Sequence, residues 1–377
     1  MVAPSLREPV LTPEIQPLAV PRITFVPVSG PSGVGEYYEA LAIAAGVRQA
    51  WPQSQVHFVV NRAARYAHEV PHPCTLIESS PTRATRSVVA ALMAQRPHVA
   101  VFISSGRVAQ YRAARRLGAR VVYMSQRPNS RWKGFRLRRM RHLDQHWISQ
   151  SRIQGAALTW LERLKLRLAP VEMVFFDGLH EPLDEAAARA RRASLGLEPG
   201  RYLVFCPGGG GNFGGVSAPE VFIEAARQVA ARGPWKVLVV SGPNSTVDAA
   251  DAERLATVRS LPNGELMALL RDARLAVING GTLLVQTLMQ GTPCVAAPIA
   301  GDQEQRIAPY AALGMAIGTR LQPGAMVAAT MRLVDDETAL AAMRAAIARM
   351  PLQNGVDVAV QALARLLPLQ SGSPLVS

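Results

Sequence analysis

The sequence is poor in cysteine and contains none of the common metal-binding patterns. Its 377 residues include three cysteines, which are odd in number and far apart. This usage argues against a disulfide scaffold and a structural zinc site, and it is typical of a reducing compartment. No HExxH, Cys/His or Asp-x-Asp ligand spacing occurs. His142 and His146 stand four residues apart, but among arginines, and we expect a solvated or stacked pair there. We therefore predict a protein that uses no metal and no other cofactor.

Segments that would cross or pass a membrane are also missing. No window contains 18 uninterrupted apolar residues, which excludes a transmembrane helix. Residues 1–20 lack the apolar run of a secretory signal, and we expect a flexible N-terminal tail. No Gly-x-Ser-x-Gly motif supports serine hydrolase chemistry. These absences favour a cytoplasmic protein.

Acidic residues are scarce in one segment in particular. The chain carries 41 basic and 27 acidic residues, a formal net charge of +14. Residues 107–167 hold 16 of the basic and 2 of the acidic residues, so this segment alone accounts for the excess. A nucleic-acid-binding protein usually spreads its charge more widely and contains a recognisable binding module, which this sequence lacks. The charge therefore favours one docking surface and argues against nucleic acid as a partner.

Apolar residues, by contrast, are plentiful. They make up 49% of the sequence, and 377 residues are sufficient for two domains. Short β-branched runs alternate with helical segments in both halves, which predicts α/β domains with parallel sheets. We expect two Rossmann-like doubly wound domains that face each other across a cleft. The predicted strands are 22–28, 56–60, 98–103, 120–125, 202–206, 236–240, 275–278 and 294–297.

The predicted division of the chain places its seam near Gly178 and Pro182, which mark a turn between two regular regions. Ligands of open α/β sheets bind beyond the carboxyl ends of the strands, so the loops of both halves would surround one cleft. The predicted segments are a tail at 1–20, a Rossmann-like domain at 21–177, a second at 178–350, and a C-terminal helix and tail at 351–377.

Two glycine-rich segments of the second half have the composition of phosphate sites. The loop 208–215 contains six glycines and follows a strand, so its backbone can approach a diphosphate closely. A flexible turn is the alternative, and no Gly-Lys-Ser/Thr follows, so this is not a P-loop. The second segment, 279–303, combines a glycine turn at a helix start with a carboxylate and an amide at a strand end. That pair suits vicinal sugar hydroxyls.

The order of residues in the second segment is the most specific pattern in the chain. Gly280-Gly281-Thr282, Gln286, Gly291-Thr292-Pro293, Pro298 and Asp302-Gln303 together resemble the donor-sugar signature of GT-B glycosyltransferases. The pattern is most similar to family 28, which includes the N-acetylglucosaminyltransferase of the lipid-linked peptidoglycan precursor. It is shared more loosely by UDP-glucuronosyltransferase-like enzymes and by a UDP-sugar hydrolase. The resemblance covers residues 200–320 well and 22–46 loosely.

The resemblance implies a donor site in the second half. The glycine turn and Thr282 would face the donor diphosphate, Asp302 and Gln303 would hold the sugar, and Leu261 would lie against the base. Gln286 stands where these families usually carry the glutamate that binds the ribose. The predicted donor-binding residues are Gly209, Gly210, Asn212, Leu261, Gly280, Gly281, Thr282, Gln286, Asp302 and Gln303.

In the first half, the segment 29–36 resembles the family's first glycine-rich loop. The family usually has a histidine after the last glycine, whereas this chain has Glu36. Glu36 is either a general base that deprotonates an acceptor hydroxyl, or an acidic residue favoured at a helix start by the dipole. We predict Glu36 as the catalytic residue of an inverting, metal-independent transfer. The predicted acceptor-side residues are Ser32, Gly33, Gly35 and Arg127.

The basic segment has two interpretations. Trp132, Phe135, Leu137 and Met140 alternate with arginines, which suggests a surface that lies on anionic lipid headgroups. The alternative is a solvated helix face. The predicted membrane or anion patch comprises Arg131, Trp132, Lys133, Arg136, Arg138, Arg139 and Arg141.

Three functions remain open from the sequence. The first is a glycosyltransferase that moves a hexosyl or N-acetylhexosaminyl group from a nucleotide sugar, with UDP as the expected nucleotide, to a hydroxyl acceptor. That acceptor would be lipid-linked and reached at the inner face of the plasma membrane, as in cell-envelope polysaccharide synthesis. The second is a nucleotide-sugar hydrolase or epimerase. The third is a non-catalytic binding protein with the same fold.

Overall fold

A computed structural model of the protein describes residues 20–28, 35–64, 66–155, 157–209, 212–213, 215–242, 245 and 253–367. The expected N-terminal tail lies outside the described residues, as do three predicted site residues, namely Ser32, Gly33 and Gly210.

The first sheet contains seven parallel strands. They are β1 (Arg22–Pro27), β2 (Gln55–Asn61), β3 (Cys74–Ile77), β4 (Val99–Ile103), β5 (Arg120–Ser125), β6 (Gln145–Ser149) and β7 (Glu172–Phe176). Their spatial order is β3-β2-β1-β4-β5-β6-β7. The connecting helices are α1 (Gly35–Ala50), α2 (Thr85–Gln95), α3 (Val108–Arg116), α4 (Pro128–Gly134), α5 (Leu137–Met140) and α6 (Trp160–Leu168). The central strands are apolar and buried because helices cover both faces of the sheet.

The second sheet repeats this plan with six parallel strands. They are β8 (Tyr202–Cys206), β11 (Lys236–Val240), β12 (Leu255–Val258), β13 (Leu275–Asn279), β14 (Cys294–Ala297) and β15 (Ile317–Gly318), while β9 (Asn212–Phe213) and β10 (Val216–Ser217) form a small hairpin. Their order is β12-β11-β8-β13-β14-β15. The helices are α7 (Glu185–Leu195), α8 (Ala218–Arg232), α9 (Asn263–Asp272), α10 (Thr282–Met289), α11 (Gln303–Ala312), α12 (Pro323–Val334), α13 (Glu337–Arg349) and α14 (Gly355–Leu366).

The last helix, α14, returns to the first sheet. Its apolar face, which includes Val356 and Val360, belongs to the same core as β1 and β2. The approach is close, because a Cβ on Gly46 of α1 would lie 2.3 Å from Val356 Cγ1. The Gly355 N–H donates to the Gly178 carbonyl at 2.7 Å, where the chain crosses back. The C-terminal segment is therefore part of the fold of the first half.

The predicted architecture of two Rossmann-like domains is confirmed by these two parallel sheets. All eight predicted strands are present, with bounds that differ by one residue at most. Among the described residues, no helix is both long enough and apolar enough to cross a membrane.

Candidate active site

One buried asparagine holds the loops at the carboxyl ends of β8 and β13 together. Asn279 ends β13, and its Nδ2 donates to the Pro207 carbonyl at 2.7 Å. Its Oδ1 accepts a hydrogen bond from the Gly281 N–H, also at 2.7 Å. Gly208 has a φ of +76°, and a Cβ there would lie 2.1 Å from Asn279 Nδ2. Sequence reasoning did not select Asn279 as a site residue, although it stands at the start of the most specific motif.

The amides at the turn before α10 do not all have the same surroundings. The Gly280 N–H donates to a backbone carbonyl of β14 at 3.1 Å, and the Gly281 N–H is engaged by Asn279. Both amides thus have acceptors inside the protein, and the role predicted for these two glycines at the diphosphate stays a prediction. The first amides of α10, those of Thr282 and Leu283, have no acceptor within the helix and can bind an anion at the positive end of the dipole.

The two glycines also permit close packing. A Cβ on Gly280 would lie 2.6 Å from Ile307 Cδ1 in α11, and one on Gly281 would lie 3.2 Å from Gln303 Nε2. Gln303 is buried, and its Oε1 accepts a hydrogen bond from the Ile299 N–H at 2.8 Å. Gln303 therefore supports the loop after β14 and places its amide nitrogen beside the turn before α10.

The other predicted donor residues surround the same strand ends. Asp302 is exposed and forms an ion pair with Arg306 at 2.7 Å, so a sugar would compete with this arginine. Leu261 is partly buried against the hydrophobic core of the second sheet, beyond the end of β12. Gly209 lies in the exposed turn after β8, and the backbone of Asn212 begins the small hairpin.

One face of α10 holds the segment that joins the two halves. Gln286 Nε2 donates to the Leu179 carbonyl at 2.5 Å, and one turn later Gln290 Nε2 donates to His180 Nε2 at 3.1 Å. His180 Nδ1 in turn donates to the Glu181 carbonyl at 2.7 Å. Burial lowers the pKa of His180, which favours the neutral ring that can accept from Gln290. The amide nitrogen of Gln286, expected at the ribose, is thus engaged by the connecting segment.

Two carboxyl groups lie one turn apart at the start of α1, beyond the carboxyl end of β1. Glu36 is the second residue of the helix and is 9% exposed. Glu39 accepts a hydrogen bond from Gln126 Nε2, which follows β5. The Glu39 carboxyl is removed from water, although the residue as a whole is only partly buried, and this raises its pKa to about 8. The charge of Glu36 acts in the same direction, whereas Gln126 and Arg127 oppose it.

Glu39 is the second residue that sequence reasoning missed. The available signal was its position three residues after Glu36, on the same face of the helix. Ser149, the last residue of β6, also hydrogen-bonds to Glu39. We call the carboxyl ends of β5 and β6, together with the start of α1, the acceptor rim. Two predicted acceptor-side residues belong to it, because Gly35 begins α1 and Arg127 lies between β5 and α4, both exposed. Ile153, which follows β6, packs against the hydrophobic core of the second sheet and so connects this rim to the second half.

The basic segment is only partly a surface patch. Arg131 is buried, pairs with Glu162 at 2.7 Å, and donates to the Ala157 carbonyl at 2.8 Å. Phe135 and Met140 are buried in a small core with Ile148. These residues therefore do not belong to the predicted interface. Their apolar side chains and the charge of Arg131 are both satisfied inside the fold.

The remaining members of the predicted patch are at or near the surface. Trp132 is exposed, and the Arg136 guanidinium lies 4.0 Å from the centre of its ring. Lys133, Arg138 and Arg141 are also exposed.

Arg139 is an exception, because it is partly buried. Its guanidinium lies 5.9 Å from the ring centre of Tyr111 and 5.8 Å from that of Tyr123.

The prediction that His142 and His146 form a solvated or stacked pair is wrong. His146 is buried and shares a hydrogen bond with the Ser125 hydroxyl at 2.9 Å, and burial lowers its pKa to about 3. His142 instead accepts from Arg112 Nε at 3.3 Å, nearer the surface. Over the part of the chain that the structure describes, no group of three or more His, Cys, Asp or Glu side chains could hold a metal ion.

Two Rossmann-like domains whose strand ends carry the candidate site define the GT-B fold. Solved structures share it over nearly the whole chain. The glycotransferase of kitacinnamycin is similar with a TM-score of 0.62 and 16% identity, covering 94% of this chain and 100% of that one. SnogD, a glycosyltransferase from Streptomyces nogalater, has a TM-score of 0.61 and 15% identity, covering 93% and 100%.

A putative UDP-N-acetylglucosamine 2-epimerase from Listeria monocytogenes is also similar. Its TM-score is 0.56 with 13% identity, covering 92% of this chain and 98% of that one. No protein-family model and no curated protein sequence matches the chain. Identities this low establish the fold alone.

Proposed function

We propose that the protein is a glycosyltransferase that moves a hexosyl or N-acetylhexosaminyl group from a nucleotide-diphosphate sugar, with UDP as the nucleotide, to a hydroxyl acceptor. The observation that carries this proposal is the clamped turn at the start of α10. Asn279 holds it against the loop after β8, so that a helix N-terminus, whose first amides have no acceptor within the helix, is fixed at the strand ends of a GT-B fold.

The donor would bind in the second half. The amides of Thr282 and Leu283 would hydrogen-bond the diphosphate, and the helix dipole would stabilise the charge that develops on it as the glycosidic bond breaks. Gln303 and Asp302 would hold the sugar hydroxyls. Charge stabilisation from a helix end is the reason to propose that the transfer is metal-independent.

The acceptor would be activated from the first half. Glu36 would accept the proton of the acceptor hydroxyl while that oxygen bonds to the anomeric carbon and the nucleoside diphosphate departs from the opposite face, which inverts the configuration. Glu39 is the less suitable base, because burial raises its pKa to about 8 and the proton-accepting form is then the minor one at neutral pH. Glu39 can instead donate that proton in a hydrogen bond.

The test is a thermal-shift screen with UDP-, GDP- and dTDP-sugars, followed by product analysis with the donors that bind. A UDP-sugar should raise the melting temperature, and the product should carry the anomeric configuration opposite to that of the donor. If no nucleotide sugar stabilises the protein, the non-catalytic binding protein becomes the better account. Retention of configuration would rule out the single-step mechanism.

A second candidate function is hydrolysis or epimerisation of the nucleotide sugar itself. The fold shared with a putative 2-epimerase favours it. In that case hydrolysis should release the sugar from donor and water, and epimerisation should convert the donor into its epimer, in both cases without any acceptor in the same product analysis.

The acceptor is proposed to be lipid-linked, as in the synthesis of cell-envelope polysaccharide. The net +14 of residues 107–167 in the acceptor half supports an anionic acceptor or surface there. A cytoplasmic protein attached to the inner face of the plasma membrane would meet both partners.

A further inference from the structure

Helix α6 carries large apolar side chains that the fold leaves in solvent. None of its residues is fully buried, and four of them expose about half of their surface or more. These are Trp160 (69% exposed), Leu161 (48%), Leu164 (45%) and Leu168 (66%). Of its apolar side chains, Leu166 turns inward, where it packs with the small core under β6 and β7.

The exposed side chains form one stripe. At 3.6 residues per turn, positions 160, 164 and 168 follow one another along the helix and 161 lies beside them, so the four cover an arc of roughly 100°. Basic residues border the stripe on both sides. Arg163 and Arg167 are on one flank, and Lys165 is on the other. The one acidic residue of α6, Glu162, faces inward to its ion pair with Arg131.

Helix α6 is tied to α4, which follows the acceptor rim. Arg131 of α4 pairs with Glu162 of α6 at 2.7 Å, and α4 begins directly after Arg127. Exposed Trp132 and Lys133 follow Arg131, whose guanidinium reaches the first turn of α6. Tryptophan and leucine between cations match a bilayer interface with anionic headgroups better than they match a protein surface.

We propose that the exposed face of α6, formed by Trp160, Leu161, Leu164 and Leu168, docks the protein on an anionic lipid bilayer. The apolar side chains enter the headgroup boundary, and the flanking cations contact acidic headgroups. Where the proposed function holds, this docking brings the acceptor rim to the membrane, but the binding itself requires neither donor nor acceptor. The contact surface is thus α6 rather than the patch predicted at 131–141.

Co-sedimentation of the full chain with phospholipid vesicles tests this proposal. The chain should bind vesicles that contain phosphatidylglycerol more strongly than pure phosphatidylcholine, and added salt should weaken the binding. Replacing Leu161, Leu164 and Leu168 by Gln should lower binding at least about tenfold. Brominated lipids should quench tryptophan fluorescence in a Trp132→Phe variant and should no longer do so when Trp160→Phe is added, which assigns the quenching to Trp160.

A matched variant separates this face from general apolar exposure. Gln at Met93, Leu313 and Met350, which are also exposed, should leave vesicle binding unchanged. The proposal is overturned if the α6 variant binds as the native chain does. It is equally overturned if α6 instead joins two copies of the chain, so that the native protein is a dimer that ignores vesicles and the variant a monomer. Nucleotide-sugar stabilisation without vesicles is measured separately and reports on the proposed function alone.

Discussion

Asn279 shows how one residue can organise a ligand site without being its ligand. Its side chain accepts from the Gly281 amide and donates to the Pro207 carbonyl, so it fixes two loops from neighbouring strands. The motif around it was readable from the sequence, because glycines after a strand and before a helix indicate a phosphate site. The sequence did not show which amides of this turn have acceptors inside the protein, since this depends on a hydrogen bond to a loop 72 residues away.

The packing of this clamp predicts a difference between two glycines. Gly208 and Gly215 both have positive φ values, +76° and +80°, but only at Gly208 would a Cβ meet another residue. Gly215→Ala should cost about 1 kcal/mol for its backbone conformation alone. Gly208→Ala should cost about 2–4 kcal/mol, because Asn279 must also move. Thermal melting of both variants measures this, and equal losses would contradict the clamp.

Glu39 predicts a pH dependence of stability. Its pKa is about 8 in the folded protein, against an ordinary value of 4.5 for this side chain. The folded state therefore keeps a proton that the unfolded state loses. Stability should therefore fall as the pH rises through the window from about 5 to 8. Glu39→Gln cannot lose this proton, and its melting temperature relative to the native protein should rise across that window.

Glu78→Gln is the control for this pH experiment. Hydrogen bonds to its own backbone and Ser87 lower the pKa of exposed Glu78, which moves its titration away from this window. A melting-temperature difference that stays flat with pH for Glu39→Gln would show that Glu39 is not protonated in the fold.

At the scale of elements, the strands that were predicted are rich in β-branched and other apolar residues. Strand β6 was not predicted, because it begins with Gln145 and His146, which are polar yet buried. The fold satisfies them with distant partners, since Gln145 Nε2 donates to the Ala362 carbonyl in α14 at 3.0 Å. Arg131 was misassigned to the surface patch for the same reason, because its partner is Glu162, 31 residues later. Local patterns do not contain such long-range pairings.

The contact between α1 and α14 makes a second element-scale prediction. Ala normally stabilises a helix relative to Gly, but a Cβ on Gly46 would lie 2.3 Å from Val356 Cγ1 and 3.2 Å from Val360 Cγ2. Gly46→Ala should lower stability by about 1–3 kcal/mol and loosen α14. Hydrogen exchange of the α14 amides, together with thermal melting, measures both effects.

Gly324→Ala in α12 is the matched helix variant, because nothing lies within 4 Å of its added Cβ. It should be neutral or stabilising by up to about 1 kcal/mol. Equal behaviour of the two variants would mean that α14 does not depend on the close approach to α1.

At the scale of the whole molecule, the two halves carry different parts of the proposed reaction, acceptor activation in the first and donor binding in the second. The first half holds the basic segment and the two carboxyl groups, and the second half holds the clamped turn. The two-sheet plan was predictable, because alternating strands and helices leave few other topologies. The role of Gln286 was not, because its bond to Leu179 exists only once α10 meets the connecting segment.

The most direct test of the central claim is the turnover rate of Glu36→Gln with a donor that the native protein accepts, measured beside the affinity for that donor. The rate should fall by about 10²–10⁴-fold with donor affinity unchanged, because only the proton acceptor is lost. Glu39→Gln, one turn away, should stay within about tenfold of the native rate, since its proton is not transferred. Native turnover by Glu36→Gln would contradict the assignment of the base and the mechanism built on it.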